Sequence, residues 1–141
     1  MERLLKVLGV LAALAALHIA SHYFGLYRQY RKYADTRVTL IRLGCRREAV
    51  GLFRKDHPDF PPTLEPTAEA YLACVKKFWA QRPGGAGEAR TWDHPPSMAV
   101  SVSSGSFAFR DSGGWAYDRA SGQVKVDCTH PSPRNLPWTD H

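Results

Sequence analysis

Residues 7–27, VLGVLAALAALHIASHYFGLY, carry no formal charge, and a helix needs about 20 predominantly apolar residues to cross a bilayer. One membrane helix over residues 1–27 is therefore expected. Tyr23, Phe24 and Tyr27 cluster at its far end, where aromatic rings favour the headgroup level, and Arg28, Arg31 and Lys32 follow at once. A cleaved signal peptide is the competing reading, with MERLLK as its basic opening. Its best cleavage site, after Ala20, puts His18 where a small residue is wanted, so a retained anchor is preferred. His18 and His22 are read as polar residues carried neutral or near the interface.

The helical pattern does not end at the lipid. Tyr27, Tyr30, Ala34, Val38, Ile41, Cys45, Ala49 and Leu52 recur every three or four residues, the period of an amphipathic helix. Arg28, Arg31, Lys32, Asp35, Arg42, Arg46 and Glu48 fall largely on the other sides, as a solvated face would require. One helix to about residue 55 is predicted, with residues 28–56 as its amphipathic continuation. Pro58 disfavours the helical conformation of His57, and Pro61 and Pro62 remove two more donors, so the helix must stop near Asp56.

Pro66 suits the first turn of a second helix, ending near Arg82 with Ala68, Tyr71, Leu72, Val75, Phe78 and Trp79 on one face. Residues 83–97 read as loop, so 57–97 form a loop with one short helix. From Met98 the period changes to two. MAVSV, SFAFR, GWAYD and QVKVD alternate, separated by SSG, DSGG and RASG. Such short connections predict antiparallel pairing, with Val100, Val102, Phe107, Phe109, Trp115, Tyr117, Val124 and Val126 on one apolar face. The upper half of the long helix is the expected cover, and residues 98–141 hold the sheet and a tail. The fold class is α+β, a long helix packed on a small antiparallel meander.

A chain of 141 residues leaves room for one small head beyond the membrane segment. Its net charge of +6 is spread without a nucleic-acid motif, which argues against nucleic acid as a partner. Cys45, Cys74 and Cys128 form no CxxC pair, leaving open one disulfide with a free thiol or none. Cys45, on the apolar stripe, reads as a buried thiol. No nucleophile has a partner pattern and no phosphate loop follows a strand, so neither an enzyme nor a cofactor or small-molecule substrate is expected. His57, His94 and His130, with Asp56 or Asp93, lack close ligand spacing, and no metal is assigned. Trp115, in an alternating strand, is expected in the core.

The order of these elements resembles the type IV pilins and the pseudopilins of type II secretion. AVGLFRKDHPDFPPTLEP is similar to the family's end-of-spine segment, and SGGWAYDRASGQVKVD to its terminal hairpin, and the likeness covers most of residues 2–128. It implies a structural subunit held in the bacterial inner membrane, single-pass, with a periplasmic head. Its partners would be other pilin-like subunits and the membrane assembly machinery. Glu2 can be laid over the family's N-terminal glutamate and would set the assembly register against a neighbour's amine, although no leader cleavage motif is recognisable here. In the periplasm Cys74 and Cys128 would be free to pair. The basic residues after the span oppose that orientation. The alternative is a single-pass anchored binding module that holds a protein partner through residues 83–97 and 129–141 without forming a fibre.

Overall fold

The computed structural model describes residues 1–64 and 88–141. The second helix expected after Pro66 lies outside the described residues, as does Cys74. The described chain is α+β: helix α1 (Glu2–Asp56), then strands β1 (Val100–Ser103), β2 (Trp115–Asp118) and β3 (Gln123–Val126), and a 3-10 turn at Trp138–Asp140. It divides into two compact units, Met1–Ala34 and Asp35–His141, with α1 contributing to both.

In the first unit α1 opens with an acidic residue in its first turn, where the helix dipole favours negative charge. Among the described residues it holds the one stretch long and apolar enough to cross a membrane, and the chain itself covers none of it. Leu4, Leu8, Leu11, Leu14 and Leu17 all stand exposed. This is compatible with a single-pass membrane protein.

In the second unit α1 buries Thr36, Thr39, Arg42, Leu43, Cys45, Arg46, Ala49 and Val50. This stripe overlaps the expected one only at Cys45 and Ala49, since Val38, Ile41 and Leu52 are half-buried flanks. Arg42 and Arg46, assigned by their charge to solvent, face the head instead. The helix ends with His57 N–H donating to the Phe53 carbonyl, one residue before Pro58. Beyond it Pro61 is buried, and its carbonyl accepts a 2.8 Å hydrogen bond from Tyr117 Oη. The ring of Phe60 lies so close to Gly122, at φ +72°, that an added Cβ would meet Cε1 at 2.3 Å. The stop thus seats the chain on the β2–β3 turn.

The sheet is mixed, in the order β1-β2-β3. β2 and β3 form the expected antiparallel hairpin, with Trp115 opposite Val126 and Tyr117 opposite Val124. β1 pairs parallel to β2, with Val100 beside Trp115, which corrects the expected meander. Parallel neighbours need a long return connection, and residues 104–114 supply it by leaving SFAFR outside the sheet. There Phe107 and Phe109 stack on each other at 5.5 Å rather than pairing in a strand. The core gathers Leu43, Val50, Leu64, Ala89, Trp115, Tyr117, Val124, Val126, Cys128 and Trp138. Trp115 is core, as expected; Val102, 43% exposed, is not. The tail folds back through Ser132 N–H to Leu136 O and Trp138 N–H to His130 O, which brings Trp138 inside.

Candidate functional site

Glu2 lies in the exposed first turn of α1, its carboxylate 2.6 Å from Lys6 Nζ one turn on. Cys45 is disulfide-bonded rather than a buried thiol. Cys128 carries a free, buried thiol, so the Cys74–Cys128 pairing is not formed. The end of β3 directs its sulfur elsewhere, to 3.7 Å from His130 Nδ1. His57 stacks on Phe53 at 3.9 Å at the end of α1, apart from the other two histidines considered.

His94 and His130 do meet, and with partners other than Asp56 or Asp93. His94 Nε2 and His130 Nδ1 stand 3.3 Å apart. The Asp111 carboxylate lies between them, 3.4 Å from His94 Nε2 and 3.5 Å from His130 Nδ1. With Cys128 Sγ, one ligand-type atom from each of the four residues falls within 4.8 Å of all the others. Cys128 closes the inner side, while the His130 side chain, 45% exposed, opens to solvent.

Local chemistry explains how three separate segments arrive there. Thr39 Oγ1 on α1 accepts the Arg90 N–H at 2.8 Å and donates to the Arg90 carbonyl at 2.9 Å. Arg42 Nη1 donates to the Glu88 carbonyl, and the Ala89–Ser97 bridge closes the loop that carries His94. Gly113, at φ +69°, leaves room for that loop, since an added Cβ would fall 2.3 Å from His94 Cβ. Asp111 has a φ of 56°, a left-handed conformation that aspartate tolerates better than most side chains. Its turn is held by the fully buried Asp127 carboxylate. Asp127 Oδ1 accepts the Arg110 and Asp111 N–H groups at 2.7 and 3.1 Å, and Oδ2 accepts the Ser101 and Ser112 hydroxyls at 2.9 and 2.6 Å. Thr129 N–H donates to Asp111 Oδ1 at 2.8 Å, tying that turn to the segment between Cys128 and His130.

The electrostatics are uneven. Burial pushes the Cys128 thiol up to about 11. The Thr129 N–H, and after it the charges of His130 and His94, hold the Asp111 carboxyl below its ordinary range. Neither Asp111 nor Cys128 was singled out with the histidines in the sequence reading. The available signal is the left-handed turn in RDSGG followed by Cys-Thr-His, which sets a sulfur and an imidazole two residues apart.

A second polar feature lies along α1. Arg46 is buried with its guanidinium 4.8 Å from the centre of the Trp115 ring, and desolvation, then the charge of Arg42, lowers its pKa to about 10. Arg47 Nε donates to the Val124 carbonyl at 2.9 Å, and its Nη2 donates to the carbonyl of His141. These arginines bind the head's own backbone and indole, a use that a planar, multi-donor cation suits. No protein-family model, curated protein or solved structure matches this chain.

Proposed function

We propose that this chain is a membrane-anchored structural subunit, pilin-like or pseudopilin-like, that assembles with similar subunits through its N-terminal helix. The observation that carries the reading is the single helix Glu2–Asp56, apolar and uncovered over its first half and forming one wall of the head over its second. An uncovered apolar helix needs lipid or other helices around it, and packing against the same helix of neighbours is the route by which it can leave the bilayer. The head would then stand in the periplasm. Glu2 would exchange Lys6 for a neighbour's N-terminal amine, an easy exchange because an exposed ion pair contributes only about 0–1 kcal/mol. Glu2→Ala should abolish assembly, read by crosslinking in intact membranes, with the head still folded; assembly at wild-type levels sinks the role of Glu2.

A second reading is supported by a separate observation. The loop from Glu88 to Ser97 and the tail after Cys128 meet through His94 and His130, so the described parts of the two segments proposed to hold a partner lie side by side. An anchored binding module would use the two together without forming a fibre. It predicts that a chain lacking residues 1–27 captures its partner as a soluble monomer.

A further inference from the structure

We infer that His94, Asp111, Cys128 and His130 bind a divalent transition metal of the zinc class in a tetrahedral site. The inference depends on neither functional reading above. Zinc holds imidazole nitrogen at about 2.0–2.1 Å, carboxylate oxygen at about 2.0–2.2 Å and thiolate sulfur at about 2.3 Å. Around a tetrahedral centre those bond lengths place nitrogen about 3.3–3.4 Å from nitrogen, about 3.3–3.5 Å from oxygen and about 3.6 Å from sulfur. Here the ring nitrogens stand 3.3 Å apart, His94 Nε2 lies 3.4 Å from Asp111 Oδ1, His130 Nδ1 lies 3.5 Å from Asp111 Oδ2, and Cys128 Sγ lies 3.7 Å from His130 Nδ1. The four ligand atoms together span up to 4.8 Å, so the widest pair must draw in by about 1 Å to close a tetrahedral shell.

No single proton can serve every contact made at His130 Nδ1. His130 Nδ1 faces His94 Nε2, the Asp111 carboxylate and Cys128 Sγ together, yet an imidazole nitrogen carries at most one proton. A cation at the centre engages all four groups at once. On binding, the Cys128 thiol gives up its proton to solvent and the sulfur becomes a thiolate ligand, while both imidazoles bind as neutral bases.

The donor set chooses among metals. One sulfur and two imidazoles suit zinc and its neighbours, whereas calcium or magnesium requires a shell of oxygens, and a single carboxylate does not make one. All four ligands come from the protein, as in closed structural sites rather than catalytic ones with an open position. The support around them is also of the required kind. Thr129 N–H fixes the carboxylate, Asp127 fixes the turn that bears it, and Gly113 admits His94. The metal would join the loop before β1, the crossover between β1 and β2, and the chain leaving β3.

The test is a Co²⁺ titration of the full chain in detergent after metal removal, followed by its visible and near-ultraviolet spectrum. One equivalent should produce the strong d–d bands of four-coordinate cobalt and a thiolate-to-metal charge-transfer band, and Zn²⁺ should abolish both. Cys128→Ser should remove the charge-transfer band. Because Cys128 is buried, His130→Ala at the exposed side provides the second variant. It should weaken binding by more than the ~10–100-fold that changes around a ligand shell cost, while His57→Ala changes nothing. Weak octahedral spectra, or full affinity in a folded His130→Ala chain, would overturn the site. The four groups would then be a hydrogen-bonded histidine-carboxylate cluster.

Discussion

Asp127 is the residue whose loss should be felt most widely in the head. Its carboxylate is wholly buried and takes two backbone N–H groups on Oδ1 and two hydroxyls on Oδ2. In Asp127→Ala the hydroxyls can turn to other acceptors, but the amides of Arg110 and Asp111 cannot move without the chain. Each buried donor left unsatisfied costs about 1–3 kcal/mol, so the pair should cost about 2–6 kcal/mol. Asp127→Asn keeps an oxygen for the two amides and offers its NH₂ to the hydroxyls, which rotate to accept, so only charge assistance is lost, about 1–2 kcal/mol. A domain of this size shifts its melting temperature by about 4–8 °C per kcal/mol. Thermal unfolding, followed by the near-ultraviolet signal of the buried Trp115 and Trp138, should therefore show Ala falling by roughly 10 °C or more and Asn by about half as much. Equal losses in the two variants, or an Ala variant that melts with the wild type, would refute the hydrogen-bond accounting.

Two further outcomes follow from the contacts of the hairpin. Burial pushes the Tyr117 phenol up to about 12, whereas an unfolded tyrosine ionises near ~10. Between those values the unfolded chain binds fewer protons than the folded one, so stability should fall as pH rises from about 10 towards 12. Tyr117→Phe should lose about 1 kcal/mol at neutral pH, because the Pro61 carbonyl loses its donor. The same variant should flatten the alkaline loss, as urea midpoints at about pH 8 and about pH 11 will show. Gly122→Ala should cost about 1–2 kcal/mol for its left-handed conformation alone, with more for displacing Phe60. Adding Phe60→Ala should recover only the steric part, and additive losses in that double-mutant cycle would dismiss the contact.

Much of the helix was legible because its signals are local. A charge-free stretch, a continuing three-to-four-residue period and prolines from Pro58 onward each act within a turn of the chain, and α1 runs Glu2–Asp56. The β2–β3 hairpin was legible for the same reason, since alternating WAYD and QVKV flank a turn closed at Gly122. The neighbour of β2 was not. SFAFR alternates as cleanly as MAVSV, but alternation cannot say which run enters the sheet and which is spent returning the chain. That choice is made by Gly114, where any Cβ would strike the Ala99 backbone at 2.3 Å, and by Trp115 N–H donating to the Ala99 carbonyl. Both are contacts between residues far apart in sequence.

The site was hidden by the same limit and by a rule applied too locally. Metal-ligand spacing is informative when ligands lie two to five residues apart, and only Cys128 and His130 satisfy it here. His94 and Asp111 arrive through other contacts, one on a loop clamped to Thr39 and Arg42, the other on a turn clamped by Asp127. The arginines show the converse. Charge assigned Arg42 and Arg46 to solvent, yet a helix covering four-residue strands must also secure the loops around them, and Leu or Val in those positions offers no donor. Arg42 reaches a carbonyl and Arg46 an indole face. Arg42 and Arg46 therefore serve the inside of the head, a use that charge alone does not announce.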